Sequence, residues 1–240
     1  MSFNRSELKH SASDLIRRSD PHVLTVGLVY LLLNIVIGLL CSRLISVNVS
    51  ETEAKNYLQY MMNGNYDYAL QYLDTMKPPF HSVALDVVLR ILMSVVSAGF
   101  IIFLLNTIRD TGPCFGNLLD GFGILLKVIL LNILEAVFIG LWSLLLGFPG
   151  IIARYRYSQA IYLLIDDPSK SPMQCIRESK AMMKGHKWEL FMLDISFLGW
   201  LILAALPVFG YAVRVWSVPY IAMTKALYYE RLRHGRYITA

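Results

Sequence analysis

The sequence predicts an all-α, polytopic membrane protein with six transmembrane helices, short interfacial amphipathic helices and both termini in the cytoplasm. Of its 240 residues, 56% are hydrophobic and only 16% are charged, whereas soluble domains carry about 25% charged residues. The apolar residues form long runs, several of them near the ~20 residues that a hydrocarbon core of ~30 Å requires. Lys and Arg collect in alternate connections between these runs, which is the bias that orients membrane helices.

The N-terminal segment, residues 3–18, is predicted to be an amphipathic helix lying on a negatively charged leaflet. Asn4 followed by Glu7 is typical of a helix start. The apolar residues Leu8, Ala12, Leu15 and Ile16 then recur at helical spacing, with Lys9, Arg17 and Arg18 opposite. The alternative is a solvated arm whose periodicity arises by chance.

The six predicted spans cover residues 23–45, 83–107, 122–148, 151–165, 190–206 and 207–229. The first follows a 22-residue charged segment and carries no small-x-small cleavage site, so we expect an uncleaved helix rather than a signal peptide. The fourth is short and contains Arg154 and Arg156. Pro219 lies inside the sixth and predicts a kink, which neighbouring helices in a bundle can tolerate.

Two connections are predicted to be helical. Residues 47–82 form an extracytoplasmic helical loop, in which Ser50 and Glu53 make a capping box. Residues 172–184 form a cytoplasmic amphipathic helix, and Gly185 after them is typical of a left-handed helix stop.

The orientation follows from the Lys and Arg residues in the connections. Segments 1–22, 108–121, 166–187 and 230–240 hold four, one, five and three of them, thirteen in all, whereas the opposite side holds only Lys55 and Lys77. This asymmetry predicts a multi-pass protein of the cell membrane with cytoplasmic termini. Five spans would place a strongly basic segment outside.

The composition favours lipid over nucleic acid as a partner. The net charge is +5, but the basic residues are scattered between apolar runs, which suits anionic headgroups rather than DNA. The three cysteines are isolated and odd in number, with no metal-ligand spacing. The histidines are far apart in sequence, and we find no zinc-protease, phosphate-loop or nucleophile-elbow motif. We therefore predict no enzyme activity, no metal and no cofactor.

The stretch that begins at Lys184 joins the basic helix to the next apolar run. It places Lys184, His186, Lys187 and Trp188 together. Trp suits the headgroup belt and the cationic residues suit anionic phosphates. These four residues are therefore predicted to be an interfacial anchor.

Charged residues inside the predicted spans are costly in lipid and are functional candidates by default. The candidates chosen among them are Asp86, Arg90, Glu135, Arg154, Arg156 and Arg214. One hypothesis is an arginine-lined outer cleft that binds a phosphate or carboxylate headgroup. The other is a structural charge network, with some arginines reaching the membrane surface. Asp86 and Arg90 are spaced for an intrahelical salt bridge.

Several short motifs lie in the C-terminal part of the chain. They are Phe148-Pro149-Gly150, Tyr155-Arg156-Tyr157-Ser158, Ser179-Lys180, the run from Met183 to Trp188, Phe191, the run from Ser196 to Trp200, Pro219-Tyr220, Thr224 and Tyr228-Tyr229. Together they resemble an uncharacterised bacterial integral-membrane family, domain of unknown function 975. Pro149-Gly150, Arg156 and Ser179 are also similar to the membrane domain of some glycerophosphodiester phosphodiesterases. The resemblance implies a six-helix cytoplasmic-membrane protein and assigns no functional residue.

Two classes of function stay open. The chain is expected to be a non-enzymatic membrane protein that organises lipid or a membrane partner complex through its basic cytoplasmic helix. The alternative is a small transporter or lipid-handling protein that binds an anionic headgroup or solute in the arginine-lined cleft. The two halves show no obvious inverted repeat, which counts against known transporter architectures.

Overall fold

The computed structural model describes residues 4–45, 51–68, 70, 80–146, 148–206 and 210–238. These residues form two compact units, one of residues 34–93 and one of residues 1–33 with 94–240. The described residues contain no strand, so the prediction of an all-α fold is confirmed for them.

The helices are defined here in chain order. They are α1 (Arg5–Arg18), α2 (Val23–Ile45), α3 (Glu51–Met62), α4 (Phe80–Arg109), α5 (Asn117–Asp120), α6 (Leu125–Leu146), α7 (Phe148–Tyr157), α8 (Ala160–Asp166), α9 (Pro172–Met182), α10 (Lys187–Ile195), α11 (Leu198–Ala204) and α12 (Gly210–Ile238). A short 3-10 helix, Gly121–Ile124, leads into α6.

Three helical stretches in the described part of the chain are long and apolar enough to cross a membrane. They are Val23–Arg43, Phe80–Arg109 and Asn117–Leu144. They coincide with the first three predicted spans, at 23–45, 83–107 and 122–148. A single-sequence pattern finds such helices reliably because a continuous apolar run needs no tertiary contact to identify it.

The fourth predicted span, 151–165, is not one continuous helix. Helix α7 ends at Tyr157 and α8 begins at Ala160. The buried Ser179 hydroxyl lies at this break: it accepts a hydrogen bond from the backbone N–H of Gln159 (3.1 Å) and donates one to the carbonyl of Arg156 (2.8 Å). The side chain from α9 thus partners two backbone groups that the interruption frees.

The fifth predicted span, 190–206, is also divided. Helix α10 ends at Ile195, α11 begins at Leu198, and the Ser196 hydroxyl donates to the carbonyl of Leu193 (2.5 Å). At ~1.5 Å per residue, neither helix reaches the ~30 Å of a hydrocarbon core. Apolar composition alone did not reveal this division.

The sixth predicted span, 207–229, corresponds to α12, apart from residues 207–209, which lie outside the described part. Helix α12 has 29 residues and continues through Pro219. The proline packs against Gly27 of α2, where a Cβ would lie only 2.9 Å from the Pro219 Cβ. A glycine is therefore needed where α2 meets the bulk of the proline ring.

Helix α1 confirms the predicted N-terminal start, since the Asn4 side chain accepts from the backbone N–H groups of Ser6 and Glu7. Its apolar stripe does not face lipid as predicted. Leu8, Ala12 and Ile16 are buried, and α1 packs against α12. The stripe is thus covered by protein, because the same periodicity serves a protein core and a lipid surface equally well.

Helix α9 matches the predicted amphipathic helix 172–184, although it ends at Met182. Ser171 caps its start, and Pro172 is its first residue. Its apolar face, which includes the buried Cys175 and Ile176, packs against α6, α7 and α8. Gly185 has φ +90°, as predicted for a left-handed stop.

The unit of residues 34–93 contains α3, part of the predicted loop 47–82. Gly64 follows this helix with φ +73°, a conformation that glycine adopts without steric cost. Ser50 and the end of the loop at 71–79 lie outside the described residues. The predicted capping box is therefore untested.

Helix α4 and the connection that follows it touch at two glycines. A Cβ on Gly99 would lie 2.2 Å from the carbonyl oxygen of Leu118, and one on Gly121 would lie 2.2 Å from that of Val95. Both obstacles are backbone atoms, which cannot rotate away as a side chain can. Residues 117–121 therefore fold back onto α4 only because these positions lack a side chain.

We expect Gly99→Ala to lower the free energy of unfolding by about 1–3 kcal/mol through overpacking. Gly140→Ala is the matched control, because a Cβ at Gly140 meets nothing within 4 Å. Its expected effect is a gain of up to about 1 kcal/mol from helix propensity. Unfolding of both variants in detergent micelles checks this, and equal effects would contradict the close contact.

Candidate functional site

Of the predicted site residues, Asp86 and Arg90 form a direct pair. The Arg90 Nε lies 2.7 Å from Asp86 Oδ2, and their side chains are 69% and 10% exposed, respectively. The pair is local, four residues apart on α4, as predicted from the spacing.

Arg90 also lines a cavity within the unit of residues 34–93. The cavity has a volume of about 570 Å³ and includes Asn34, Cys41 and Ser42 in its wall. Its wall is mostly apolar, and the exposed guanidinium of Arg90 is the group on it that is suited to an anion.

The other candidate residues do not form ion pairs with one another in the described part of the chain. Arg156 lies over the Trp142 ring at 5.8 Å, and Arg214 lies over the Tyr211 ring at 5.6 Å. Arg154 is exposed. Glu135 is half-buried on α6, and no hydrogen bond or ion pair joins it to Arg156. The two arginines thus rest on aromatic rings of their own or a neighbouring helix.

A charge cluster that the sequence reasoning missed joins the ends of α4, α8 and α12. Arg109 Nη2 lies 2.7 Å from Asp166 Oδ1, and Arg109 also pairs with Glu230. Arg233 Nη1 lies 3.2 Å from Asp166 Oδ2, which also accepts from the Tyr229 hydroxyl. The carboxylates are 9% and 8% exposed.

This charge cluster (Arg109, Asp166, Glu230 and Arg233) contains two cations and two anions, so it is balanced within itself. Its members lie near the start of segments 108–121, 166–187 and 230–240, which the count of Lys and Arg residues assigned to one side of the membrane. The structure brings these segments together. The sequence did offer one signal for this charge cluster, namely charged residues at the ends of apolar helices. Such a position does not show which other residue the charge pairs with.

A second missed group lies among α7, α10 and α12. Lys225 Nζ is 2.9 Å from Asp194 Oδ1, and the Tyr155 hydroxyl donates to Asp194 Oδ2 at 3.2 Å. All three side chains are partly exposed. Asp194 and Lys225 lie within the predicted fifth and sixth spans, so they belonged among the intramembrane candidates.

The predicted interfacial anchor covers the turn after α9 and the first two residues of α10. Trp188 is 68% exposed and its ring is 5.0 Å from that of Phe191. Lys184 is exposed and Lys187 half-buried. His186 Nδ1 lies 2.9 Å from Glu189 Oε2, and the His186 carbonyl accepts from the buried Tyr228 at 3.0 Å. Tyr228 thus fixes the backbone of this junction while Trp188 stays outside.

No group of three or more metal-ligating side chains occurs among the residues that the structure describes. The absence of a catalytic motif remains a prediction from the sequence.

The helical fold, the three apolar stretches and the buried charges together define an all-helical protein of the membrane class. Within the chain, residues 144–236 match the model of a family described as "Protein of unknown function (DUF975)". The match supports the resemblance over the C-terminal part, where α7 to α12 lie. Neither the curated proteins nor the solved structures contain a match to the chain.

We expect Arg109→Gln to lower the free energy of unfolding by about 3 kcal/mol, because two buried carboxylates lose a partner. This loss is at the lower end of the range for breaking a buried ion pair, because the Arg109 side chain is 28% exposed. Arg154 is exposed, so Arg154→Gln should change the free energy of unfolding by less than about 0.5 kcal/mol. Denaturant unfolding in micelles measures both; equal values would show that the charge cluster contributes no net stability.

Proposed function

We propose that the chain is a non-enzymatic membrane protein that organises anionic lipid, or a membrane protein partner, through basic helices on the cytoplasmic side. One observation carries the proposal: α1 and α9 bury their apolar faces in the protein while their basic side chains remain exposed. The exposed residues are Arg17, Arg18, Arg177 and Lys180.

This arrangement supports an electrostatic surface rather than an inserted helix. Each Lys or Arg close to an anionic leaflet contributes about 1 kcal/mol of attraction, which declines within a Debye length. Because α1 and α9 are held by protein contacts, their charges do not have to be positioned by the lipid itself. Lys184 and Trp188, which follow α9 in the chain, are exposed as well.

Six crossings and cytoplasmic termini in the cell membrane form part of this proposal. The three continuous stretches supply three crossings, and α7–α8, α10–α11 and α12 supply the others in interrupted or charged form. The more distant likeness to membrane domains of glycerophosphodiester phosphodiesterases stays a prediction. It fits a role at phospholipid headgroups.

The natural cysteines test the topology. Cys114 is exposed in the connection after α4, whereas Cys41 and Cys175 are buried. A membrane-impermeant maleimide should leave Cys114 unlabelled in intact cells and label it in inverted membrane vesicles. Lys55→Cys is the positive control, because Lys55 is exposed and predicted to be extracytoplasmic. Labelling of Cys114 in intact cells would overturn the orientation.

The lipid role is tested by removing charge from the two basic helices. We expect the combined variant Arg17→Gln, Arg18→Gln, Arg177→Gln and Lys180→Gln to retain severalfold less anionic lipid in native nanodiscs than the unmodified chain. Lys55→Gln, on the opposite predicted side, should retain the normal amount. Mass spectrometry of the same samples measures the retained lipid and identifies any protein partner that is retained. Unchanged lipid and no stoichiometric protein partner would contradict the proposal.

A second candidate function is binding of an anionic headgroup or solute at the predicted arginine-lined site. Of the predicted arginines in the described part of the chain, Arg90 lines a cavity. The exposed guanidinium of Arg90 at the edge of a cavity of about 570 Å³ favours it. The same nanodisc experiment separates the two candidates. If Arg90→Gln loses a specific anionic lipid or solute that the combined variant keeps, the Arg90 cavity is favoured over the basic helices.

A further inference from the structure

A polar cleft lies beside the first two turns of α1, where α10 ends. Its volume is about 400 Å³, and it is lined by Asn4, Arg5, Ser6, Lys9 and Ser196. Two of these residues are basic, and among the described residues that line the cleft none is acidic. The cleft therefore carries uncompensated positive charge.

Lys9 is held in place on one side of the cleft. Its Nζ donates to the carbonyl of Ser196 at 3.0 Å and lies 4.3 Å from the centre of the Phe197 ring. An ammonium has three N–H donors, and this carbonyl takes one of them. Partial burial lowers the pKa of Lys9, and the charge of Arg5 lowers it further. An anion in the cleft would offset the repulsion between the two cations and favour the charged form of Lys9.

Arg5 is the second cation and is exposed. It forms no hydrogen bond or ion pair within the described part of the chain, so its planar guanidinium is available. Such a group binds a phosphate through two parallel hydrogen bonds. The end of the helix itself is already satisfied, because the N–H groups of Ser6 and Glu7 donate to Asn4. The binding groups are thus the two side chains.

An exposed apolar surface begins next to the cleft. Ile195 precedes Ser196 and Leu198 follows it by two residues, and both are exposed. Leu201 and Ile202 continue this surface at helical spacing along α11 and are 51% and 60% exposed. A charged cleft that adjoins an apolar strip matches the two ends of a phospholipid better than it matches a free anion.

We propose that this cleft binds the phosphate group of an anionic glycerophospholipid, whose acyl chains lie along the exposed face of α11. Arg5 contacts the phosphate with its guanidinium, and Lys9 contacts it with the donors that Ser196 leaves free. The inference rests on the proposed function and adds a defined site to the diffuse basic surface.

The test uses the full chain in nanodiscs that contain equal amounts of phosphatidylglycerol and phosphatidylcholine. Native mass spectrometry counts the phosphatidylglycerol molecules that stay bound after the lipid bilayer is released. We expect Arg5→Gln to weaken retention of one such molecule by roughly tenfold, the loss of one charge-assisted contact. Lys55→Gln also removes one exposed cation, but on the opposite predicted side, and should leave that molecule bound.

Arg5 makes no contact that the fold requires, and an unchanged thermal unfolding curve will confirm that the variant is folded. Lys9→Arg keeps the charge and should retain the lipid. Equal losses from Arg5→Gln and Lys55→Gln would overturn the site, and the basic surface would still stand if the combined variant of α1 and α9 retains less lipid. If no anionic lipid is retained by the unmodified chain either, the proposed function fails as well.

A separate arm distinguishes lipid from free phosphate. Inorganic phosphate, titrated against the chain in detergent, should compete with phosphatidylglycerol only weakly, because it lacks acyl chains. Displacement of the lipid by equimolar inorganic phosphate would overturn the lipid assignment.

Discussion

The ends of α4, α8 and α12 depend on one cluster of charges, in which Arg109 pairs with Asp166 and Glu230. Buried carboxylates are tolerated only when they are paired and hydrogen-bonded. Arg233 and the Tyr229 hydroxyl complete the partners of Asp166. Three distant segments of the chain must therefore meet for any of these charges to be stable, so the charge cluster constrains how the helices around it are arranged.

The short helices of the C-terminal part depend on similar side-chain contacts. Ser179 partners the backbone at the α7–α8 break, Tyr228 binds the His186 carbonyl, and Lys9 binds the Ser196 carbonyl. Interrupted helices leave backbone groups that need partners where water is scarce. Each partner comes from another helix, which ties α1, α9 and α12 to these positions.

The candidate site was predictable to the extent that its contacts are local. Asp86 and Arg90 pair because residues four apart share one helix face. By contrast, the predicted charge network would need contacts between distant helices, and Arg156 lies over Trp142 instead. Asp194 and Lys225 pair across α10 and α12, and nothing in the spacing of either predicts the other.

The sequence by itself determined the all-helical class, the three long apolar helices, the helix cap at Asn4 and the left-handed turn at Gly185, because each depends on neighbours within a few residues. Only the tertiary structure decided that α7–α8 and α10–α11 are interrupted, that the apolar face of α1 is covered by protein, and that Arg109, Asp166 and Glu230 meet. Apolar periodicity is the same for helices that contact lipid and helices that contact protein. Pairing between charges on distant segments depends on packing, which no local pattern records.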